Sequence, residues 1–382
     1  MKEMKELELY IHIPFCIQKC NYCDFLSFSA KPEEMAAYVK ALLKQIASKA
    51  VVAQKYQVTT IFVGGGTPSI LPNKEMEKIF NKLREVFCVI NDAEITIEVN
   101  PGTTTQEKLR AYYQMGINRL SIGLQSTQDA ELKALGRIHT YQEFLDTYEQ
   151  ARKIGFDNIN IDLMSEIPGQ NVFSWEESLK RVIKLAPEHI SAYSLIIEEG
   201  TPFYQQYGKE SGLSDLPLMP TEDEILAMDE MTKSMLKVHG YLRYEISNYA
   251  QIGYECKHNL GYWDRKEYLG LGLGASSYVN QERLKNISGM KEYIEEPERR
   301  EEKKSLTKQE QMEEFCFLGL RKTKGVRIED FKTQFGYSLQ EIFGAEIEEL
   351  NQAGLLKIEN NRLFLTARGL ELGNYVFAKF LH

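Results

Sequence analysis

The amino-acid sequence predicts an α/β protein: a partial (β/α)6 barrel followed by a small, winged-helix-like α+β domain at the C-terminal end. Two observations support this prediction. From residue 7 to about residue 205, strand-like runs alternate with helical patterns six times, which is typical of a parallel sheet with helical crossovers. Near the C-terminal end, helical patterns precede a hairpin, as in a winged helix. The alternation by itself suits a doubly wound sheet as well as a barrel.

The strands and helices of the predicted barrel follow from the spacing of their apolar residues. The predicted strands cover residues 7–13, 59–66, 93–101, 117–126, 156–170 (a strand and a loop) and 189–202. The predicted helices cover residues 32–54, 73–87, 104–116, a helical stretch ending at about 154, and 173–186. Pro32 begins the first helix and Gly116 closes the third, because proline fits the first helical turn and glycine accepts the left-handed conformation after the last.

Changes in composition predict four segments along the chain. These are a barrel core at 1–205, an extension of the barrel at 206–293 that includes a long amphipathic helix, a charged linker at 294–306, and a C-terminal domain at 307–382. In the last segment, Thr307 with Glu310 and Ser338 with Glu341 have the spacing of capping boxes, which mark the beginnings of helices. A hairpin turn is predicted at Asn360-Asn361.

A winged helix often binds DNA, but the charge of this one argues against it. The helix in the recognition position carries Glu346, Glu348 and Glu349, which would repel phosphates. We therefore expect a small packing or partner-docking domain. The chain as a whole has 46 basic and 55 acidic residues and a net charge of −9, which also disfavours a general nucleic-acid binder.

Composition also limits the cellular setting. No run approaches the roughly eighteen apolar residues that a membrane span needs. The first ten residues alternate in charge and lack the apolar region of a signal peptide. We therefore expect a cytoplasmic protein whose cysteines are reduced, with no direct membrane span.

Half of the six cysteines lie close together, in the spacing C-x3-C-x2-C at Cys16, Cys20 and Cys23. A disulfide framework would require an even count in a small secreted domain, and structural zinc usually requires two separated pairs. The other three cysteines, Cys88, Cys256 and Cys316, are isolated. Chance clustering of buried thiols is the simplest alternative. An iron–sulfur cluster fits better, because several thiolates must surround one small volume, and three ligands leave one of four irons open.

Further polar residues follow the predicted strands, where a (β/α) barrel binds its ligands. The glycine turn Gly64–Pro68 allows close approach of the backbone, although a turn between strand and helix needs no ligand. Glu98 ends the third strand and is also compatible with an exposed acid. Gln125 ends the fourth strand, and Arg137 follows it on a helix and is also compatible with a surface ion pair. Asp162 interrupts an apolar strand and needs a partner there. The sixth strand offers backbone for an adenine near Leu195 and Ile196.

Together these motifs resemble the coproporphyrinogen III oxidase-like proteins of the radical S-adenosylmethionine (SAM) superfamily. The resemblance covers nearly the whole chain and rests on "YIHIPFC", "GGGTPS", "EVNP", "SIGLQS" with "LGRIHT", and "NIDLM" with "PGQ". It implies a 4Fe-4S cluster on Cys16, Cys20 and Cys23, with SAM on the open iron. The residues that it places in the SAM site are Tyr10, Gly65, Gly66, Thr67, Glu98, Gln125, Arg137 and Asp162. Arg137 is expected to pair with the carboxylate of SAM.

The family has an oxidase branch and a heme-chaperone branch, and three features favour the second. The oxidase has a further cysteine where this chain has Phe25, and a long N-terminal extension where only fifteen residues precede Cys16. "HNLGYW", from His258 to Trp263, matches the H-N-x-x-Y-W motif of the heme-chaperone branch. His258 is then expected to bind heme iron, since imidazole is a common axial ligand.

Other assignments of these residues stay open. His258 is also compatible with a polar loop histidine packed beside aromatic rings, and Cys256 is a second candidate ligand. His12 and His139 lie near the cluster and SAM segments in the sequence and are candidates for a role there.

The expected function is that of a chaperone that binds the cluster, SAM and heme and passes heme to an acceptor protein. The expected acceptor is a respiratory heme protein at the membrane, so any contact with the membrane runs through that partner; a homodimer is also considered. The alternatives are radical decarboxylation of coproporphyrinogen III and a winged-helix regulator that senses its cluster. Whether the chain is an enzyme, and whether it cleaves SAM, the sequence leaves open.

Overall fold

The structure, a computed structural model, describes residues 4–208 and 216–382. Twelve strands in this part of the chain form one sheet in the order β12-β11-β10-β9-β1-β2-β3-β4-β5-β6-β8-β7. They are β1 (Lys5–Ile13), β2 (Tyr56–Gly65), β3 (Cys88–Val99), β4 (Arg119–Gln125), β5 (Ile159–Ser165), β6 (His189–Ser194), β7 (Leu242–Arg243), β8 (Asn248–Ala250), β9 (Tyr268–Leu271), β10 (Ser276–Val279), β11 (Glu282–Asn286) and β12 (Arg300–Ser305).

The first six strands are parallel neighbours in chain order, and β9 pairs in parallel with β1. Strands β10, β11 and β12 extend one edge antiparallel, and β8 and β7 extend the other. The sheet ends at β12 and β7 and does not close on itself. The predicted α/β fold with an open, partial barrel is therefore confirmed.

Helices connect the parallel strands and cover the outer face of the sheet. In chain order they are α1 (Pro32–Ser48), α2 (Ala50–Ala53), α3 (Asn73–Val86), α4 (Gln106–Gln114), α5 (Asp129–Ala134), α6 (Tyr141–Ile154), α7 (Val172–Leu185), α8 (Pro202–Tyr207), α9 (Glu222–Val238), α10 (Lys257–Trp263), α11 (Met290–Glu295), α12 (Lys308–Gly319), α13 (Ile328–Phe335), α14 (Leu339–Gln352), α15 (Ala367–Glu371) and α16 (Gly373–Ala378). Short 3-10 turns cover Pro68–Ile70 and Pro101–Thr103.

The two faces of the sheet have different chemistry. Apolar side chains on the strands and helices form one continuous core between them. Strand β4 shows the contrast, since Leu120, Ile122 and Leu124 are wholly buried in apolar surroundings. The alternate positions of β4 line cavities inside the barrel. Closed (β/α)8 barrels fill this space with branched apolar residues, whereas here β4 contributes the polar side chains of Arg119, Ser121 and Gln125 to the cavity walls.

The C-terminal domain has its own core and a three-stranded antiparallel sheet in the order β13-β15-β14, where β13 is Val326–Arg327, β14 is Leu356–Glu359 and β15 is Arg362–Leu365. Both predicted capping boxes are present at the beginnings of α12 and α14. The hairpin turns at Asn360 and Asn361, whose φ angles of 48° and 60° are those of a two-residue turn. The winged-helix-like prediction is confirmed.

The segment predicted to be a charged linker has regular structure instead. Helix α11 ends inside it, and Arg300–Ser305 pairs with β11 as the edge strand β12. Its side chains are almost all exposed, so no apolar alternation marks it in the sequence. A highly charged edge strand is also one that resists pairing with other chains.

Among the helices of the described residues, none is both long and apolar enough to cross a membrane.

Candidate functional site

The three clustered cysteines lie on the loop that follows β1 and line one cavity of about 530 Å³ at the carboxyl ends of the parallel strands. All three are free thiols. The base of the loop is closed by backbone hydrogen bonds, from the N–H of Cys16 to the carbonyl of Phe28 (3.0 Å) and from the N–H of Phe28 to the carbonyl of Pro14 (2.9 Å). The loop is therefore fixed to the end of its strand, with its sulfur atoms facing a single space.

The glycine turn after β2 packs directly against the cysteine loop. The N–H of Gly66 donates to Ile13 (2.8 Å), and the N–H of Thr67 donates to Phe15 (2.7 Å). The Thr67 hydroxyl lies 3.5 Å from the sulfur of Cys16. A Cβ atom on Gly66 would lie 2.7 Å from the carbonyl oxygen of Phe15 and 3.0 Å from that sulfur. The close approach that the sequence predicts is present, and only glycine permits it at this position.

Gly65, the preceding residue, has a φ of +115°. A Cβ atom there would meet the imidazole ring of His12 at 2.6 Å. Both conformation and space therefore require glycine. Three free thiols beside such a backbone cradle are a donor set that fits an iron–sulfur cluster, whose ligands are cysteine thiolates on one loop.

Two carboxyl groups line the same cavity, and burial raises the pKa of both. Glu98 accepts a hydrogen bond from the N–H of Gly65 (3.1 Å), and its pKa is raised to about 8 by burial and then by the nearby Asp162. Asp162 accepts from Nδ2 of Asn160 (2.8 Å) and the hydroxyl of Ser121 (3.3 Å). Near neutral pH, Glu98 is therefore mostly protonated and able to donate a hydrogen bond into the cavity.

Arg137 and Gln125 complete the polar wall. Nη2 of Arg137 donates to the carbonyl of Gly123 (2.7 Å), and Nη1 lies 3.6 Å from the sulfur of Cys20. Gln125 accepts from the Tyr193 hydroxyl (2.5 Å) and has a φ of +72°. Arg137 therefore presents a positively charged hydrogen-bond donor to the cysteine loop.

Leu195 and Ile196, predicted to offer backbone to an adenine, also line this cavity. They lie just after β6, on the loop that faces the cysteine loop across the opening. The structure thus brings together the three cysteines and every predicted SAM residue except Tyr10.

Tyr10 lines a second, deeper cavity of about 320 Å³ inside the barrel. Its hydroxyl is 3.0 Å from Nδ1 of His12, whose Nε2 donates to the carbonyl of Leu26 (2.9 Å). The carbonyl acceptor places the proton on Nε2, so Nδ1 accepts from the tyrosine. Tyr10 and His12 therefore support the end of the cysteine loop from below rather than lining the cavity that holds the cysteines.

His139 does not line either cavity. It is 3% exposed, its Nε2 is 3.3 Å from the carbonyl of Leu124, and burial together with Arg137 lowers its pKa to about 3. It is a buried neutral histidine that packs behind the wall formed by Arg137.

The two cavities share Glu98, Ser121, Asp162 and Tyr193 in their walls and so form one polar space. Sequence reasoning missed a residue of the deeper cavity, Arg119, whose guanidinium is buried. The sequence does contain a signal for Arg119. Polar residues occupy alternate positions of β4, and alternate positions lie on one face of a strand, which indicates that this face is polar.

His258 lies on α10, at the far side of the deeper cavity from the cysteines, and is only 1% exposed. Its Nδ1 is hydrogen-bonded to the hydroxyl of Thr60 (2.7 Å) and its Nε2 to that of Tyr262 (2.9 Å). Burial, with a smaller contribution from Arg119, lowers its pKa to about 3. In this conformation neither ring nitrogen is free to coordinate iron. The heme-ligand role stays a prediction, and it would require α10 to rearrange.

Cys256, the second candidate ligand, precedes α10 and is fully buried. Its sulfur is 3.6 Å from Oε1 of Glu94, and burial raises its pKa to about 12. Glu94 also accepts from the N–H groups of Lys257 (3.0 Å) and His258 (3.1 Å), so it caps this helix. A neutral thiol held in this way is a structural group, since the thiolate is the form that binds metals.

The opposite side of α10 faces the C-terminal domain. The guanidinium of Arg321 lies 4.4 Å from the ring of Trp263, and Lys322 forms an ion pair with Asp264. The "HNLGYW" motif is therefore a short helix that closes the barrel floor and joins it to the second domain, rather than a loop.

An open, parallel-dominated sheet with three free cysteines and a glycine turn at its carboxyl edge has the architecture of radical-SAM proteins. Comparison with known proteins agrees. Residues 10–182 match the Radical SAM superfamily, and residues 306–372 match the HemN C-terminal domain. Coproporphyrinogen III oxidase (HemN) from Escherichia coli, a radical SAM enzyme, has the same fold, with a TM-score of 0.86 over 99% of this chain and 90% of that one. At 23% identity, that likeness concerns the fold alone.

The chain belongs to the HemW family. It is 38% identical to the protein named heme chaperone HemW of Bacillus subtilis (strain 168), over 97% of this chain and 98% of that protein. It is 40% identical to heme chaperone HemW of Escherichia coli (strain K12), over 73% and 72% of the two chains. A more distant relative is the mitochondrial radical S-adenosyl methionine domain-containing protein 1 of Danio rerio, 30% identical over 96% and 85%.

Proposed function

We propose that this protein is a heme chaperone that carries a 4Fe-4S cluster and SAM and transfers heme to an acceptor protein. The observation that carries the proposal is the convergence of Cys16, Cys20 and Cys23 with a glycine cradle in one cavity, in a chain whose relatives are named heme chaperones.

The cysteines would hold the cluster as thiolates, and the fourth iron would supply a site for the amino and carboxylate groups of SAM. Gly65, Gly66 and Thr67 would present backbone beside it, and Glu98 would accept a hydrogen bond from a ribose hydroxyl or from the amino group of SAM. Arg137 would turn from the sulfur of Cys20 toward the carboxylate, and Gln125 and Asp162 would complete the wall. Tyr10 would act indirectly, through His12 and the loop that it supports.

The alternative activity is oxidative decarboxylation of coproporphyrinogen III. The fold is shared with a protein of that activity, so the fold does not separate the two functions. The position of the oxidase's additional cysteine is occupied by Phe25, which is exposed at the cavity mouth. That exchange favours the chaperone. The proposed acceptor is a respiratory heme protein at the membrane, reached from the cytoplasm.

The test is an anaerobic titration of the reconstituted protein with hemin, followed by addition of heme-free apomyoglobin as a generic acceptor. We expect saturable binding, a change in the Soret band, and transfer of heme on mixing. Coproporphyrinogen III is assayed in parallel, with SAM and a reductant. Consumption of coproporphyrinogen without saturable hemin binding would replace the proposal with the oxidase, and neither activity would refute both.

A further inference from the structure

Three large apolar side chains stand exposed on the loops around the mouth of the cysteine cavity. Ile17 and Phe25 belong to the cysteine loop and are 53% and 69% exposed, and Ile196 follows β6 and is 66% exposed. Phe25 and Ile196 both line the cavity. Exposed apolar groups are ordinary when scattered, but a group of them around one opening indicates a binding surface.

The chemistry changes with depth in this cavity. Near the mouth, Leu195 joins Phe25 and Ile196, whereas Glu98 and Asp162 lie further inside among hydrogen-bonding partners. A ligand at the mouth therefore meets aromatic and aliphatic surface, and only a smaller, polar group reaches the interior.

We propose that heme docks at this mouth, with its macrocycle against Phe25 and Ile196; the inference rests on the proposed function. Heme is a flat apolar ring with two carboxylates at one edge, and Phe25 offers an aromatic surface for such a ring. Nζ of Lys19 donates to the backbone carbonyl of Phe25 (3.0 Å), which brings an exposed cation beside the backbone of that residue.

The charged groups near the mouth differ in what they offer the propionates. Asp24 and Glu198 line the same cavity and would repel them. Lys19, held at the backbone of Phe25, would pair with them.

Heme bound in this way does not contact His258, which lies at the barrel floor with both ring nitrogens hydrogen-bonded. No histidine is among the described residues that line this cavity, so heme iron docked there keeps a coordination position for a ligand of the acceptor. We expect the spectrum of high-spin heme rather than the low-spin spectrum of an iron with two histidine ligands.

The experiment is an anaerobic hemin titration of the cluster-loaded protein and four variants. Phe25→Ser with Ile196→Ser should weaken hemin binding at least about tenfold, because each change removes buried apolar contact with the ring. Lys19→Glu should weaken it by a smaller factor. The matched control is Phe173→Ser, since Phe173 is 70% exposed and does not line the cavity. His258→Gln should leave the affinity and the Soret band unchanged.

The iron and sulfide content of each variant is measured to verify that the cluster is retained. A loss of hemin binding in a cluster-loaded variant then does not result from loss of the cluster. Unchanged affinity in the double variant, or loss of hemin binding in a folded His258→Gln variant, would overturn the inference while leaving the chaperone intact. Absence of hemin binding by the wild type would instead refute the proposed function.

Discussion

The imidazole ring of His258 stacks on the phenyl ring of Phe62, with centroids 5.2 Å apart and planes inclined by 24°. Phe62 also stacks on Tyr10, at 6.3 Å. The motif helix and the strand that leads to the cysteine loop thus share one aromatic side chain. The floor of the barrel is therefore connected through packed side chains to the loop that carries the cysteines.

Replacing His258 with alanine should destabilise the folded protein by about 2–4 kcal/mol. The substitution leaves a cavity against Phe62 and removes the hydrogen-bonding partners of Thr60 and Tyr262. Urea unfolding of the cluster-free protein measures the change. His239→Ala is the control, since His239 is exposed. A His258→Ala variant as stable as the control would contradict the structural role assigned here.

The glycine cradle gives a second prediction. Gly65→Ala should abolish cluster assembly, because the new methyl group meets the ring of His12 and the residue also keeps a left-handed φ. Iron and sulfide content after reconstitution is the measurement, with circular dichroism to verify folding.

The control for this prediction separates the effect of backbone strain from that of steric overlap with the new methyl group. Gly240 has a φ of +86°, but nothing lies within 4 Å of the position of its Cβ atom. Gly240→Ala should cost about 1 kcal/mol of stability and leave iron loading unchanged. Equal iron loading in Gly65→Ala would show that the cradle tolerates a side chain.

Much of the site was predictable because its residues are local in sequence. The spacing of Cys16, Cys20 and Cys23, and the glycine turn, are short motifs whose chemistry depends on neighbours along the chain. Glu98 and Asp162 follow from strand periodicity, since the carboxyl ends of parallel strands meet at one edge of the sheet. The order of strands and helices is similarly local, so the fold class could be predicted.

The remainder depends on contacts between distant segments. Nothing near Tyr10 in the sequence shows that its ring stacks on Phe62 and lines the deeper cavity instead of the cysteine cavity. The hydrogen bond at Nδ1 of His258 depends on Thr60, 198 residues away. Strand β12 was missed because an exposed edge strand carries no apolar alternation. The position of Tyr10, the hydrogen bonding of His258 and the pairing of β12 all depend on tertiary contacts, which a local sequence pattern does not encode.

The junction between the two domains should weaken when Arg321 is replaced with alanine. This removes the cation–π contact with Trp263 (4.4 Å), which is worth about 1 kcal/mol. Hydrogen exchange followed by mass spectrometry should show faster exchange in α10 and α12 than in the wild type. Arg368→Ala, at an exposed position of the same domain, is the control. Unchanged exchange in α10 would show that the contact does not couple the domains.

Glu8 provides a pH-dependent prediction. The residue is 1% exposed, Oε2 has no hydrogen-bond partner among the described residues, and its side chain packs against Gly261 of α10. Burial raises its pKa from 4.5 to about 9, with Lys266 opposing and Glu94 adding to the shift. The folded protein therefore holds a proton that the unfolded chain releases above about pH 5.

Because the folded state binds the additional proton on Glu8, the contribution of this residue to the free energy of unfolding should fall as pH rises between about 5 and 9. At pH 7 the carboxyl group of Glu8 lowers the free energy of unfolding by roughly 3 kcal/mol relative to a side chain that cannot ionise. Glu8→Gln has nearly the same shape and stays neutral, so its stability should depend less on pH. Urea unfolding at pH 5.5, 7 and 8.5 tests this. The difference in free energy of unfolding between Glu8→Gln and the wild type should increase from pH 5.5 to pH 8.5. The buried histidines titrate alike in both proteins, so their contributions cancel in this difference. A difference that stays constant with pH would mean that folded Glu8 ionises near its ordinary pKa, which would require water or a cation beside it in the barrel floor.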